Sequence, residues 1–128
     1  MLAAGNISKL FWPSDPQIPE RSDELKECLS IEDDSPLGPR NFRNHFEHFD
    51  ERIDTWATSS RDSNFVDSNV GPPGMIAGID PQNYLRNFDT TNFAVTYRGD
   101  VYDLRPVIDA IESLHERAIE EAARPRSE

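Results

Sequence analysis

The 128-residue chain is long enough for one domain around a single core, and its 36% hydrophobic content keeps that core modest. No run approaches the ~20 apolar residues that a bilayer span needs and no signal-peptide pattern is present, so the chain reads as a soluble, cytoplasmic protein. A formal net charge of −11 sets the overall field against nucleic acid, and Cys28, the only cysteine, excludes an intrachain disulfide or a cysteine-based zinc site.

Leu2, Ala3, Ile7, Leu10 and Phe11 have helical spacing, and Trp12-Pro13 ends the segment. This helix opens without a capping residue, as the tail of a longer one does, so a domain lacking an N-terminal helix is expected. Residues 13–21 form a Pro-containing loop. Ser22 to Leu29 reads as a short helix, with Ser22 as N-cap, Asp23 and Glu24 in the first turn, and Leu25 and Leu29 paired at i,i+4. Glu32-Asp33-Asp34 reads as a solvated acidic loop. Ser35-Pro36 is a helix-start signal that Pro39 can push a few residues later. Phe42, Phe46, Phe49, Ile53 and Trp56 then recur at steps of three and four and predict a long helix over 37–58.

Residues 59–82 are polar around Gly71-Pro72-Pro73-Gly74 and read as a long irregular loop, of the kind that carries function or moves. Tyr84–Phe88 and Phe93–Tyr97 predict a hairpin around Asp89-Thr90-Thr91-Asn92. Arg98-Gly99-Asp100 turns the chain, and Asp103 caps a final helix whose stripe is Leu104, Val107, Ile108, Ile111, Leu114, Ala118 and Ile119. The expected fold is mainly α: a small helical bundle around a long central helix, a single domain over 1–128, with a β-hairpin before the C-terminal helix.

The chemistry concentrates in Arg40 to Arg52, R-N-F-R-N-H-F-E-H-F-D-E-R, where Arg-Asn-x-x-x-His occurs twice in overlapping frames. One frame is Arg40, Asn41 and His45; the other is Arg43, Asn44 and His48. At about 100° per residue, His45, Arg52, Asn41, His48 and Asn44 share one flank of the apolar stripe, while Asp50, Arg43, Asp54 and Glu47 share the other. The bland interpretation is a solvated flank with local ion pairs and a half-buried His45. A metal site on His45 and His48 lacks ligands, because Glu47 and Asp50 project away from the histidine flank. A small-molecule site under the 59–82 loop has no residue-level support.

Arg-Asn-x-x-x-His on a long helix resembles the HEPN superfamily, the higher eukaryotes and prokaryotes nucleotide-binding domains. The string Phe42 to Arg52 is also similar to uncharacterised bacterial proteins with an RNxxEHxDER core, in which the second frame recurs. Asn6 to Pro13 and the closing hairpin plus helix fit the same group. The resemblance implies an HEPN-like helical bundle with metal-independent RNA cleavage, in a toxin or defence setting, needing no cofactor. It implies a homodimer whose two motifs face each other, RNA as substrate, and an antitoxin or other protein as partner. Carried onto this sequence, His48 would be general acid or base, Arg43 would stabilise the pentacovalent phosphorus, and Asn44 would orient the histidine or a phosphate oxygen. Arg40, Asn41 and His45 match in the other register. Arg and His five apart project about 140° from each other on one helix, which favours a site shared by two copies. The alternative is a non-catalytic HEPN-like interaction and dimerisation module, which the acidic charge favours.

Overall fold

The computed structural model describes residues 2–39, 44, 45, 47–61 and 64–125. They divide between two compact units, one drawn from both chain ends (Met1–Arg40 and Pro106–Glu128) and one from the middle (Asn41–Arg105). The architecture is mixed α/β: among the described residues, helices α1 (Leu2–Phe11), α2 (Pro19–Cys28), α3 (Phe49–Ser59) and α4 (Arg105–Ala123) accompany a four-stranded sheet. The sheet corrects the mainly helical expectation, which contained one hairpin only.

In the first unit Phe11, Leu37 and Leu114 are buried, and Ile7, Leu25, Leu29, Val107 and Ile111 pack on them. The α1 and α4 stripes therefore do the work their spacing predicts, although Leu10 and Ile119 stay exposed. Helix α2 starts at Pro19 rather than Ser22, because a proline at the first helical position arrives with its φ already set. The Ser22 hydroxyl donates back to the Pro19 carbonyl at 2.9 Å instead of capping. The helix ends in a Schellman arrangement: Ile31 N–H reaches Lys26 O and Ser30 N–H reaches Glu27 O, with Ser30 at φ 50°. Arg117 Nη1 then donates to the exposed Ser30 carbonyl.

In the second unit Trp56, Leu85 and Tyr97 form the core, with Phe49 and Ile53 against it. Phe49, Ile53 and Trp56 are the predicted stripe; Phe42 and Phe46 lie outside the described residues. The expected continuous helix over 37–58 is corrected. Residues 37–39 are irregular, 44, 45 and 47 are helical, and His48 leaves the helical region (φ −113°, ψ 41°) before α3 begins. His45 and Phe49, four residues apart, both meet Tyr97, His45 stacked at 4.8 Å between centroids and Phe49 edge-on at 6.5 Å.

The sheet runs β1 (Asn69–Val70), β2 (Asn87–Asp89), β3 (Ala94–Tyr97), β4 (Asp100–Asp103), with β1 parallel to β2 and the rest antiparallel. The predicted hairpin is β2–β3, shortened at its first strand; Tyr84 contributes only an isolated bridge to Val66. Its loop is held by Asp89, whose buried carboxylate accepts from Thr91 N, Asn92 N and Asn92 Nδ2. Arg98 and Gly99, at φ 49° and 90°, form the two-residue hairpin turn that right-twisted strands favour. That turn leads into a further strand, β4, where the sequence predicts only a turn at Asp100 and a helix cap at Asp103. Asp103 Oδ1 accepts from Arg105 N at 3.0 Å where α4 begins.

The described residues of 59–82 are tied down more than a loose loop would be. Asp67 receives Arg86 Nε at 2.9 Å, Arg86 Nη2 and the Arg86 main-chain N–H, and the guanidinium lies 4.0 Å over the Phe49 ring. Asn87, 2% exposed, accepts from Asn69 Nδ2 and donates to Gly71 O and Thr96 Oγ1. Asn83 Oδ1 accepts from Trp56 Nε1 at 3.0 Å and Ser60 Oγ at 3.2 Å. Buried amides thus stitch the segment to the sheet at positions where an unmet polar group would be costly.

Leu85 is fully buried, so Leu85→Ala is expected to lower unfolding free energy by about 2–5 kcal/mol in a urea titration. The Arg86 hydrogen bonds hold the Asp67 carboxyl below the ordinary carboxylate range. Its stabilisation is therefore complete above pH about 4 and is lost as pH falls through the lowered folded value. Asp67→Asn is expected to cost about 1 kcal/mol at pH 7, since both side chains are partly solvated, and to flatten the acid dependence of stability below pH about 4. Equal acid sensitivity in the two proteins would show the pair is idle.

Candidate functional site

Asn44, His45, Arg52, Asp100, Val101 and Tyr102 line one open cleft of about 440 Å³ in the second unit. Two stretches supply it. Arg52 follows His45 by two helical turns' worth of residues, so both side chains reach the same side despite the break at His48. Asp100 and Tyr102 come from β4, where strand alternation puts them on one face.

His45 is the best-defined group. Its side chain is 17% exposed, stacked on Tyr97 and edge-on to Tyr102 at 5.9 Å. Nε2 stands 3.7 Å from Asp100 Oδ2, longer than a hydrogen bond, while Nδ1 is buried with no hydrogen-bond partner among the described residues. A charged imidazole would need acceptors at both nitrogens. Burial accordingly pushes the His45 pKa down, the Arg52 charge pushes it the same way, and Asp100 partly offsets them. The ring is neutral at pH 7. Arg52 Nε is likewise buried and without a hydrogen-bond partner among the described residues. Tyr102 lies beside them with its hydroxyl pKa raised by burial and by Asp100.

The two predicted frames are mixed, since Asn44 belongs to the second and His45 to the first. Asn44 and His45 line the cleft, whereas His48 is 52% exposed and turns Nδ1 to Glu51 Oε1 at 3.4 Å. Arg40, Asn41 and Arg43 lie outside the described residues. The helical projection placed Arg52 with the histidines but could not find Asp100 and Tyr102. The Arg-Gly pair was the available signal, since a two-residue turn after Tyr97 implies a returning strand opposite it. Among the described residues no group of three or more His, Cys, Asp or Glu could hold a metal ion. No helix among them is long and apolar enough to cross a membrane. Chemically, the cleft offers a neutral imidazole, a guanidinium, a carboxylate and a phenol.

The coupling is directly measurable. Arg52→Ala is expected to raise the His45 pKa toward its ordinary 6.5, and Asp100→Asn to lower it further, in an NMR titration of the imidazole. Because the folded value lies below the unfolded one, the His45 contribution to stability is complete above pH 6.5 and is lost as pH falls through the folded value. An unmoved titration in both variants would break the link between these three residues.

Comparison with protein-family models, with curated proteins and with solved structures returns no match, so the reading of this cleft rests on its own residues.

Proposed function

We propose that the chain is a metal-independent endoribonuclease of the HEPN-like toxin or defence kind, working from the His45 cleft in a homodimer. One observation carries the reading: a neutral, largely buried imidazole and an arginine with a buried Nε lacking a partner among the described residues line the same open cleft. Cleavage of RNA without metal needs a base at the ribose 2′-hydroxyl and a cation at the phosphorus. His45 Nε2 faces the cleft and takes the 2′-hydroxyl proton. The 2′ oxygen then bonds to phosphorus, the bond to the 5′ oxygen breaks, and that oxygen takes a proton from an acid. The products are a 2′,3′-cyclic phosphate and a 5′-hydroxyl.

Arg52 offsets the charge that builds on the phosphorane, and Asn44 contributes a hydrogen bond to a phosphate oxygen. His45 is unsuited to the acid role while neutral. That role falls to His48 of a second copy, with Arg43 as the further cation. The local guanidinium answers the objection raised by the −11 charge, because contact electrostatics in a cleft outlast a screened surface field. The HEPN-like bundle is proposed together with the chemistry: it rests on the motif residues, and the four-stranded sheet lies beyond what such a bundle supplies. The second reading, a non-catalytic interaction module, draws on the acidic charge and on the His48–Glu51 pair.

The test is incubation with RNA in EDTA, with product ends identified by mass. Wild type is expected to yield cyclic-phosphate ends, and His45→Ala, His48→Ala, Arg52→Ala and Arg43→Ala to lose about 10²–10⁴ in rate. The acid limb of the rate profile is expected below pH 6.5, where the lowered His45 pKa lies. No cleavage by wild type, or equal cleavage by all five proteins, would leave the interaction module.

A further inference from the structure

We propose that β4 is a self-pairing edge: two copies of the chain join antiparallel through β4, about a two-fold axis at Val101, and place their His45 clefts side by side. The argument stands on the sheet alone and does not need the nuclease reading.

Strand β4 ends the sheet, pairing only with β3. The two-residue turn makes Tyr97 and Asp100 a hydrogen-bonded pair, and Leu104 N–H reaches Phe93 O at the other end. Asp100 and Tyr102 therefore spend their backbone groups on β3, while Val101 and Asp103 aim theirs outward. Among the described residues no main-chain group from another element meets that outward row. The side chains are equally open, Val101 at 67% and Asp100 at 66%. Natural edges are blunted by shortness, charge, proline or a bulge; this one has neither proline nor bulge, and its two aspartates, Asp100 and Asp103, are the charges that any pairing has to keep apart.

The register follows from what would face what. An axis at Val101 lets Val101 exchange both main-chain hydrogen bonds with the partner's Val101, an apolar pair. It sets Asp100 opposite the partner's Tyr102, and Asp103 opposite the partner's Gly99. No carboxylate then faces a carboxylate directly. An axis at Tyr102 would put exposed Val101 against the partner's Asp103, and an axis at Asp103 would oppose two like charges. Val101 is thus the favoured centre.

The symmetry has a consequence for the cleft. A two-fold axis perpendicular to the sheet keeps each face on its own side, so Asp100 and Tyr102 of both copies share one face. Each cleft gains the partner's Tyr102 beside its own Asp100. The site becomes composite by geometry, with the second copy supplying part of its wall. So short an edge gives a weak dimer, with Kd between about 1 μM and 1 mM.

The test uses the full chain in sedimentation equilibrium with parallel amide hydrogen exchange. Wild type is expected to pass from one-chain to two-chain mass as its concentration rises, with Val101 amide exchange slowing at least about tenfold over the same range. Val101→Pro removes an N–H that β3 does not use, so it should keep the fold by circular dichroism and remain one chain. Wild type that stays single up to about 1 mM would overturn the proposal. So would Val101→Pro that dimerises equally, or Val101 exchange that ignores concentration. Should the proline variant fail to fold, the wild-type exchange decides alone. Dimers that cleave no RNA would retain the interface and sink only the nuclease reading.

Discussion

The second unit depends on what Tyr97 holds. Its ring is 1% exposed and takes His45 on one face, Phe49 at an edge, and Trp56 and Leu85 in the surrounding core. An aromatic of this size contributes about as much buried area as any residue can, and here it contacts both the helical stretch and the sheet. The position of the cleft imidazole is thereby set by core packing and not by a loop. The same packing desolvates the ring, so the tuning of His45 is a by-product of the contact that orients it. Tyr97 bears a cost of its own, since its hydroxyl is buried with no hydrogen-bond partner among the described residues and its pKa is pushed up by burial.

Around that hub the unit is built with polar fasteners as much as with hydrocarbon. Asn83, Asn87 and Asp89 are all buried, and each has acceptors or donors met by residues from a neighbouring helix, strand or turn. Such networks weigh more in specificity than in net stability, because any slipped register leaves several of them unpaired at once. Asp89 fixes the β2–β3 loop and the Arg98–Gly99 turn fixes β3–β4. The register of β4 against β3 therefore follows from turn chemistry, and with it the placing of Asp100 and Tyr102 beside His45. Gly99 is glycine for its positive φ, since a Cβ there would meet only the movable end of Gln82, at 2.8 Å.

Much of the helical part could be read from periodicity, because Ile7, Phe11, Val107, Ile111 and Leu114 repeat at the helical interval and are what the first unit buries. The sheet was legible only where two strands flanked an obvious loop. β1 and β4 are two and four residues long, and β4 exposes most of its side chains, so neither leaves an alternating signal. The break at His48 was invisible for another reason. Phe42 to Trp56 is a sound helical pattern, and its spacing carries no mark of the departure of His48 from the helical region. Hence the motif was found by its residues, while its partners Asp100 and Tyr102 required the fold.

The separation of His45 from His48 also changes how a twice-written motif should be understood. On a straight helix the two Asn/His pairs share one flank, with His45 nearer the apolar stripe than His48 and Arg43 on the opposite flank. The two imidazoles are unlike in the fold: His45 is desolvated beside a cation, His48 solvated beside a carboxylate. Acid–base chemistry at one bond requires such unlike pairs, because a proton acceptor and a proton donor must coexist at one pH. The duplication therefore does not supply redundancy. It supplies two environments from one short string, and it is the core ring of Tyr97, not the motif itself, that tells them apart.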